Sequence, residues 1–174
     1  ALERRLIKTL ATETITRDLE NADGLGSFDL VAQFLGNPMF DHLDLTTDTY
    51  SSFPQDPLQV AILPGSRDEA LQNLHYIADT LQACDSGPQF KIALAPNLDI
   101  AQLKSAFEES GWVVSPDALR HSQTGTHISI SRDFLDTVHH ADIVIGLAGT
   151  ANEQAAFLGK RVICFKGKGP QSSL

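Results

Sequence analysis

Two stretches of the chain combine glycine with residue types that hold anions. The first reads LPGSRDE and covers residues 63–69. Gly65 allows the backbone to approach a ligand closely, and Arg67 carries forked N–H donors that suit phosphate. Ser66 and Glu69 have the spacing of a capping box, which predicts a helix start whose free N–H groups can face an anion. The alternative interpretation is a well-capped helix with a surface arginine.

The second stretch reads GLAGTANEQ and covers residues 146–154. Gly149 leaves room for a ligand at a helix start, and Thr150 and Glu153 repeat the capping-box spacing. Asn152, Glu153 and Gln154 all carry side chains that can hydrogen-bond to ribose hydroxyls. In the structural alternative, Glu153 only closes the cap and Gln154 is solvated. Because both stretches follow strands of one predicted sheet, we predict that the backbone pockets at residues 64–67 and 149–153 converge on one shared pyrophosphate.

Other polar residues form weaker patterns. The segment KGKGPQ at residues 166–171 places two lysines after an apolar run, where they either complete a positive site or lie in a solvated turn. His139 and His140 end a helical pattern, and a cation there faces the negative end of the helix dipole, which favours a structural role over catalysis. His121 and His127 flank a Ser/Thr/Gly stretch and either reach a ligand or are ordinary loop residues.

Neither cysteine belongs to a metal or redox motif. Cys84 and Cys164 lie outside any C-x-x-C pattern or Cys/His cluster, so we expect both to be reduced core residues. The sequence shows no clear Ser-His-Asp order, carboxylate pair or metal signature. It therefore predicts neither a metal site nor a resident cofactor.

Short apolar runs alternate with amphipathic segments through most of the chain, as strands alternate with covering helices. We predict strands over residues 30–35, 60–63, 90–95, 112–114, 127–130, 143–145 and 162–165. We predict helices over residues 69–82, 100–110, 134–140 and 151–158, a helical pattern over 2–21 and a loop over 21–27. The fold class is therefore α/β, with a mostly parallel Rossmann-like sheet covered on both faces. Ligands of such sheets bind beyond the carboxyl ends of the strands, here the loops after Leu63, Ala95, Ile130, Ile145 and Phe165.

Composition restricts the class of protein. The chain has 174 residues, an apolar content of 42% and a formal charge of −9 from 22 acidic and 13 basic residues. The charge argues against nucleic-acid binding, and no apolar run reaches membrane-spanning length, so we expect a soluble protein.

We place a domain boundary in the Thr/Ser/Asp/Pro-rich residues 41–57. The boundary separates residues 1–57 from the regular strand and helix pattern of residues 58–174.

Four short motifs occur in an order that resembles a known family. They are GNPMFD at residues 36–41, LPGSR at 63–67, AD at 141–142 and GTA at 149–151. The ordered set resembles the lipid-A-disaccharide synthase family, and especially a related cyanobacterial and plastid-lineage group whose activity is inferred from that relationship. The ending GKGPQ at residues 167–171 is more similar to this related group. The resemblance covers residues 30–171.

The resemblance implies a GT-B architecture of two facing Rossmann-like domains. Residues 58–174 would be the Rossmann-like sugar-nucleotide-binding half, truncated at its carboxyl end, and residues 1–57 a remnant of the preceding domain with the interdomain connection. It implies a hexosyltransferase that moves a glucosamine-derived sugar, with inversion, from a UDP donor to a lipid-linked sugar acceptor. No metal is implied. The family further implies a cytoplasmic protein in peripheral contact with the inner membrane.

The roles of the family's residues transfer to matching positions of this chain. Gly65, Ser66 and Arg67 would lie near the diphosphate, with Arg67 as the catalytic cation that balances charge on the departing UDP. Gly149 and Thr150 would present a helix end to phosphate or ribose. These roles follow from the resemblance and are expectations for the structure.

Departures from the family pattern leave alternatives open. The synthases place a glutamate after a Gly-Thr-Ala-x-Leu stretch, whereas this chain has Asn152, Glu153 and Gln154, so either Glu153 or Gln154 contacts ribose. Most of the first domain is missing, and we therefore expect no turnover by this chain alone. The UDP-N-acetylglucosamine 2-epimerases share the fold and a Gly-Asn-Pro element. A non-catalytic nucleotide-sugar-binding domain is a further alternative.

Overall fold

The chain forms two units, Ala1–His42 and Leu43–Leu174. A computed structural model describes residues 2–43, 56–67, 69–84, 87–147, 149–165 and 167. Residues 44–55 of the connection predicted at 41–57 lie outside the described residues, as do residues 166 and 168–171 of the lysine- and glycine-rich segment. The division into domains at residue 57 stays a prediction.

The first unit contains helices α1 (Leu2–Leu10) and α2 (Leu19–Gly26) and one turn of 3-10 helix (Pro38–Phe40). The loop predicted at residues 21–27 is wrong, because the Asp18 carboxylate accepts the Asn21 N–H at 2.7 Å and caps a helix there. The strand predicted at 30–35 is also wrong. Only Gln33 pairs, in an isolated bridge with Ile15, so these apolar residues lack the partner strand that a ladder needs.

Seven strands of the described residues form one sheet in the second unit, in the order β3-β4-β5-β2-β1-β6-β7. Their bounds are β1 Gln59–Leu63, β2 Gln89–Ala93, β3 Trp112–Val114, β4 Ala118–His121, β5 His127–Ser131, β6 Ile143–Gly146 and β7 Arg161–Cys164. Strands β5, β2, β1, β6 and β7 are parallel, whereas β4 runs antiparallel between β3 and β5. The predicted Rossmann-like α/β fold is confirmed. Strand β4 was not predicted, because its four residues include Arg120 and His121 and form no apolar run.

Helices cover both faces of this sheet. They are α3 (Ala70–Leu81), α4 (Ile100–Ala106), α5 (Phe134–His139) and α6 (Thr150–Phe157). Strand β1 alternates between two cores, since Val60 and Ile62 pack with α3 and α4 while Ala61 and Leu63 pack with α5 and α6. Burial of both faces explains why β1 is a continuous apolar run. Helix α4 ends before the predicted residue 110, because the backbone turns through Glu109 at a φ of 63°.

Asp142 sets the position of β6 beside β1. Its carboxylate accepts the Gln59 N–H at 2.9 Å, and its own N–H donates to the Gln59 carbonyl at 2.8 Å. The resulting register pairs Leu63 with Gly146, so the two glycine-containing loops leave the sheet side by side. The AD motif of the sequence therefore has a structural role at the amino ends of these strands.

The cysteines are free but not buried. Cys84 follows α3 and Cys164 ends β7, and both are exposed. Their expected place in the core is wrong, because Cys84 lies beyond the end of α3, and β7 pairs only with β6 among the described strands and leaves three of its four residues exposed. Cys164 still contacts the protein through the Asn152 amide, which donates to its Sγ at 3.3 Å.

Candidate functional site

A cavity of about 410 Å³ lies at the carboxyl ends of the parallel strands. Its lining comes from the ends of all five parallel strands and the loops and helices that follow them: Leu63, Pro64, Gly65, Ser66, Arg67, Glu69, Ala70, Asn73, Ala93, Leu94, Ala95, Pro96, Arg132, Phe134, Leu147, Gly149, Thr150, Ala151, Gln154, Phe165 and Gly167. Strand β1 has β2 on one side and β6 on the other, so the strand order reverses direction at β1. The cavity therefore lies at the topological switch point of the sheet, where ligands of such sheets bind. Its volume suits a small organic ligand.

The loop after β1 brings Gly65, Ser66 and Arg67 to this cavity. Gly65 has a φ of 94°, a left-handed conformation that favours glycine. The predicted capping box is wrong, because α3 begins at Ala70 and the Glu69 side chain makes no cap hydrogen bond. Instead the Ala70 N–H donates to the Arg67 carbonyl at 2.9 Å, which closes a turn ahead of the helix. No residue in the described ranges forms an ion pair with the exposed Arg67 guanidinium.

The loop after β6 brings Gly149 and Thr150 to the same cavity. Gly149 has a φ of 146° and a ψ of −178°, a combination that is essentially restricted to glycine. It is the N-cap of α6, and its carbonyl accepts the N–H groups of Asn152 and Glu153. The second predicted capping box is therefore also wrong, since Thr150 is the first helical residue and not the cap.

The three candidate ribose-binding residues of α6 point in different directions, because successive helical positions turn by about 100°. Gln154 lines the cavity, whereas Asn152 and Glu153 do not. Glu153 is exposed and Asn152 is 6% exposed. The expected contact between Asn152 and a ribose stays a prediction, and the structure places its amide outside the cavity lining, buried between α6, Cys164 and Gly146. A Cβ on Gly146 would overlap the Asn152 Oδ1 atom, which has no hydrogen-bond partner among the described residues.

The end of β7 closes the cavity on the α3 side. Phe165 and Gly167 both belong to the lining. A Cβ on Gly167 would overlap Leu147 and lie 2.7 Å from Asn73 Oδ1, so glycine allows this loop to approach α3 closely. The predicted lysine contribution from residues 166 and 168 lies outside the described residues.

Arg132 is a cavity residue that no sequence motif indicated. It follows β5, whose carboxyl end is one of the predicted ligand-binding loops, and its guanidinium Nη1 donates to the Ala95 carbonyl at 3.0 Å. Asn97 was missed as well, and its amide donates to the Ser66 carbonyl at 2.6 Å. The available signal was the position of both residues just beyond predicted strands.

The candidate histidines lie outside the cavity lining. His121 is buried against Trp112, with ring centroids 5.2 Å apart, and its Nδ1 lies 3.0 Å from the Thr124 hydroxyl. His140 is the C-cap of α5, and its Nδ1 lies 2.9 Å from the Asp136 carbonyl and 3.2 Å from the Asp136 carboxylate. Neither arrangement indicates catalysis, and in the described part of the chain no three His, Cys, Asp or Glu side chains cluster as metal ligands.

The Gly-Asn-Pro motif belongs to the first unit. The Asn37 side chain accepts the Met39 N–H at 3.1 Å and caps the one-turn helix that follows. This hydrogen bond explains the asparagine as the N-cap, and the proline follows because proline is favoured at the first position of a helix. The motif therefore has a structural role within its own unit.

No known protein family matches the chain, and no curated protein matches it. Within the described ranges, no helix has the length and apolar character required to cross a membrane. The chemistry of the site therefore follows from its own residues. They provide a partly apolar cavity, two glycine-containing loops and two arginines, a combination suited to an organic anion.

Proposed function

We propose that the cavity binds the nucleoside diphosphate part of a UDP-sugar, and that the chain is the donor-binding half of a GT-B glycosyltransferase. The reaction would be that of a hexosyltransferase similar to the lipid-A-disaccharide synthases, with a glucosamine-derived sugar as the transferred group. The observation that supports this proposal is that the LPGSR motif at residues 63–67 and the GTA motif at 149–151 line one cavity.

Four residues of the cavity have a role in this proposal. The glycine-containing backbone at Gly65 and Gly149 allows a phosphate group to approach the loops without a side chain in the way. Arg67 stabilises the negative charge that grows on the UDP oxygen as the bond to the sugar C1 breaks. Gln154 offers an amide to a ribose hydroxyl. The lipid-linked acceptor, and the peripheral membrane contact that it requires, remain part of the proposal.

Titration calorimetry with UDP, UDP-N-acetylglucosamine and ADP tests this function. We expect the two uridine ligands to bind more tightly than ADP. Arg67→Gln should weaken UDP binding roughly tenfold to a hundredfold, because it removes charge-assisted hydrogen bonds. Arg120→Gln is the matched control, since Arg120 is exposed on β4 and does not line the cavity. Equal heats for all three ligands, or no heat for any, would contradict the proposal.

A further inference from the structure

The loop between β2 and α4 is hydrogen-bonded to the loops on both sides of it. The Asn97 amide donates to the Ser66 carbonyl after β1, and the Arg132 guanidinium after β5 donates to the Ala95 carbonyl. Strand β2 lies between β5 and β1 in the sheet, so these bonds join the ends of three adjacent strands. The backbone ahead of Arg67 and the guanidinium of Arg132 are therefore both hydrogen-bonded to residues 95–97.

The bond from Asn97 fixes the backbone that carries Arg67. In a trans peptide the carbonyl of one residue and the N–H of the next point in opposite directions. Because the Ser66 carbonyl points to Asn97 at 2.6 Å, the Arg67 N–H points away from Asn97. The orientation of this donor is thus set before any ligand binds.

Arg132 keeps its charge available to a ligand. One of its five N–H donors goes to the neutral Ala95 carbonyl, and no carboxylate in the described ranges forms an ion pair with it. The adjacent Asp133 is engaged elsewhere, since its carboxylate accepts the Asp136 N–H at 2.9 Å. Glu69 also lines the cavity, and the two positive charges of Arg67 and Arg132 outnumber its single negative charge.

We infer that Arg132 is a second phosphate-binding residue, and that the cavity holds a diphosphate between Arg67 and Arg132. The loops that carry the two arginines leave the sheet two strand spacings apart, about 10 Å. A diphosphate has two anionic centres, so each guanidinium can contact one of them. This inference rests on the proposed function, and it adds that the site distinguishes a diphosphate from a monophosphate.

Calorimetric titration of the full chain with UDP, UMP and inorganic pyrophosphate tests this role. Arg132→Gln should weaken UDP and pyrophosphate binding roughly tenfold or more and change UMP binding much less. Arg132→Lys keeps a charge but loses the forked geometry, so its affinity for UDP and pyrophosphate should lie between that of the unaltered chain and that of Arg132→Gln. Arg120→Gln again serves as the control for loss of one positive charge.

The outcomes separate this inference from the proposed function. Tight UDP binding that Arg132→Gln leaves unchanged would overturn the role of Arg132 and leave the proposed function standing. Pyrophosphate binding that depends on Arg132, without preference for uridine, would support the inference and contradict the proposed donor. Absence of binding by both UDP and pyrophosphate would overturn both. Thermal unfolding of each variant shows whether a lost affinity reflects a lost fold.

Discussion

Gln154 and Glu153 are adjacent in sequence, yet only Gln154 lines the cavity. A ribose-contacting amide contributes about 0.5–1.5 kcal/mol to binding. Gln154→Ala should therefore weaken UDP binding roughly threefold to tenfold. It should also reduce the preference for UDP over its 2′-deoxy and 3′-deoxy forms, as measured by calorimetry.

The matched control for Gln154 is Glu153→Gln, which changes a neighbouring side chain outside the cavity. We expect its affinity for UDP to equal that of the unaltered chain. A larger loss with Glu153→Gln than with Gln154→Ala would show that the acidic residue contacts the ribose. The sequence left these two residues as alternatives, because the choice depends on where α6 begins.

Asn152 shows why residue type alone did not identify the ligand contacts. An asparagine after a glycine-containing loop is a common hydrogen-bonding residue, but here it fills the space beside Gly146 and Cys164. Burial places it on the sheet side of α6. Arg132 is the opposite case, a cavity residue that the sequence did not indicate. A single arginine after a strand forms no motif, and the bond that positions its guanidinium, to the Ala95 carbonyl, is visible only in the structure.

Among the secondary-structure elements, β2 and α5 are joined by an ion pair. The Lys91 ammonium lies 2.8 Å from the Asp136 carboxylate, and both side chains are half-buried. The hydrogen bond from Lys91 lowers the pKa of Asp136 below its ordinary value, and the charges of Lys91, His140 and His139 act in the same direction. A carboxylate whose pKa is lowered by folding stabilises the folded state at pH values above the ordinary aspartate pKa of about 3.9. This contribution is lost as the pH falls through the lower pKa of the folded state.

Asp136→Asn should accordingly reduce the free energy of unfolding at pH 7 by about 0.2–1 kcal/mol. Urea unfolding at pH 7, 5, 4 and 3 would show this difference shrinking at the acidic end. Glu108→Gln, which removes an exposed carboxylate after α4, is the control and should show no such trend. A difference that stays constant with pH would mean that Asp136 acts through its shape and not through its charge.

For the molecule as a whole, the cavity exists only in the folded chain, because its lining comes from the ends of five parallel strands. A ligand that binds there stabilises the folded state and not the unfolded one. UDP at a concentration roughly a hundredfold above its Kd should add about 2.7 kcal/mol to the free energy of unfolding. The corresponding rise in Tm is roughly 5–10 °C for a chain of this size.

Thermal unfolding with UDP and with ADP at equal concentration measures this effect. ADP should raise the Tm less than UDP does. An Arg67→Gln, Arg132→Gln double variant should show little rise with either nucleotide. Equal rises for both nucleotides in the unaltered chain would indicate a general anion site.

The α/β class, the parallel strands and the loops where a ligand site would form could all be read from the order of residues alone. This was possible because strands buried on both faces are continuous apolar runs, and because ligands of parallel sheets bind at the carboxyl ends of the strands. Which side chains face the cavity became clear only from the folded arrangement. That choice depends on the register set by Asp142, on the start of α6 at Thr150 and on bonds between loops far apart in sequence, none of which leaves a local pattern.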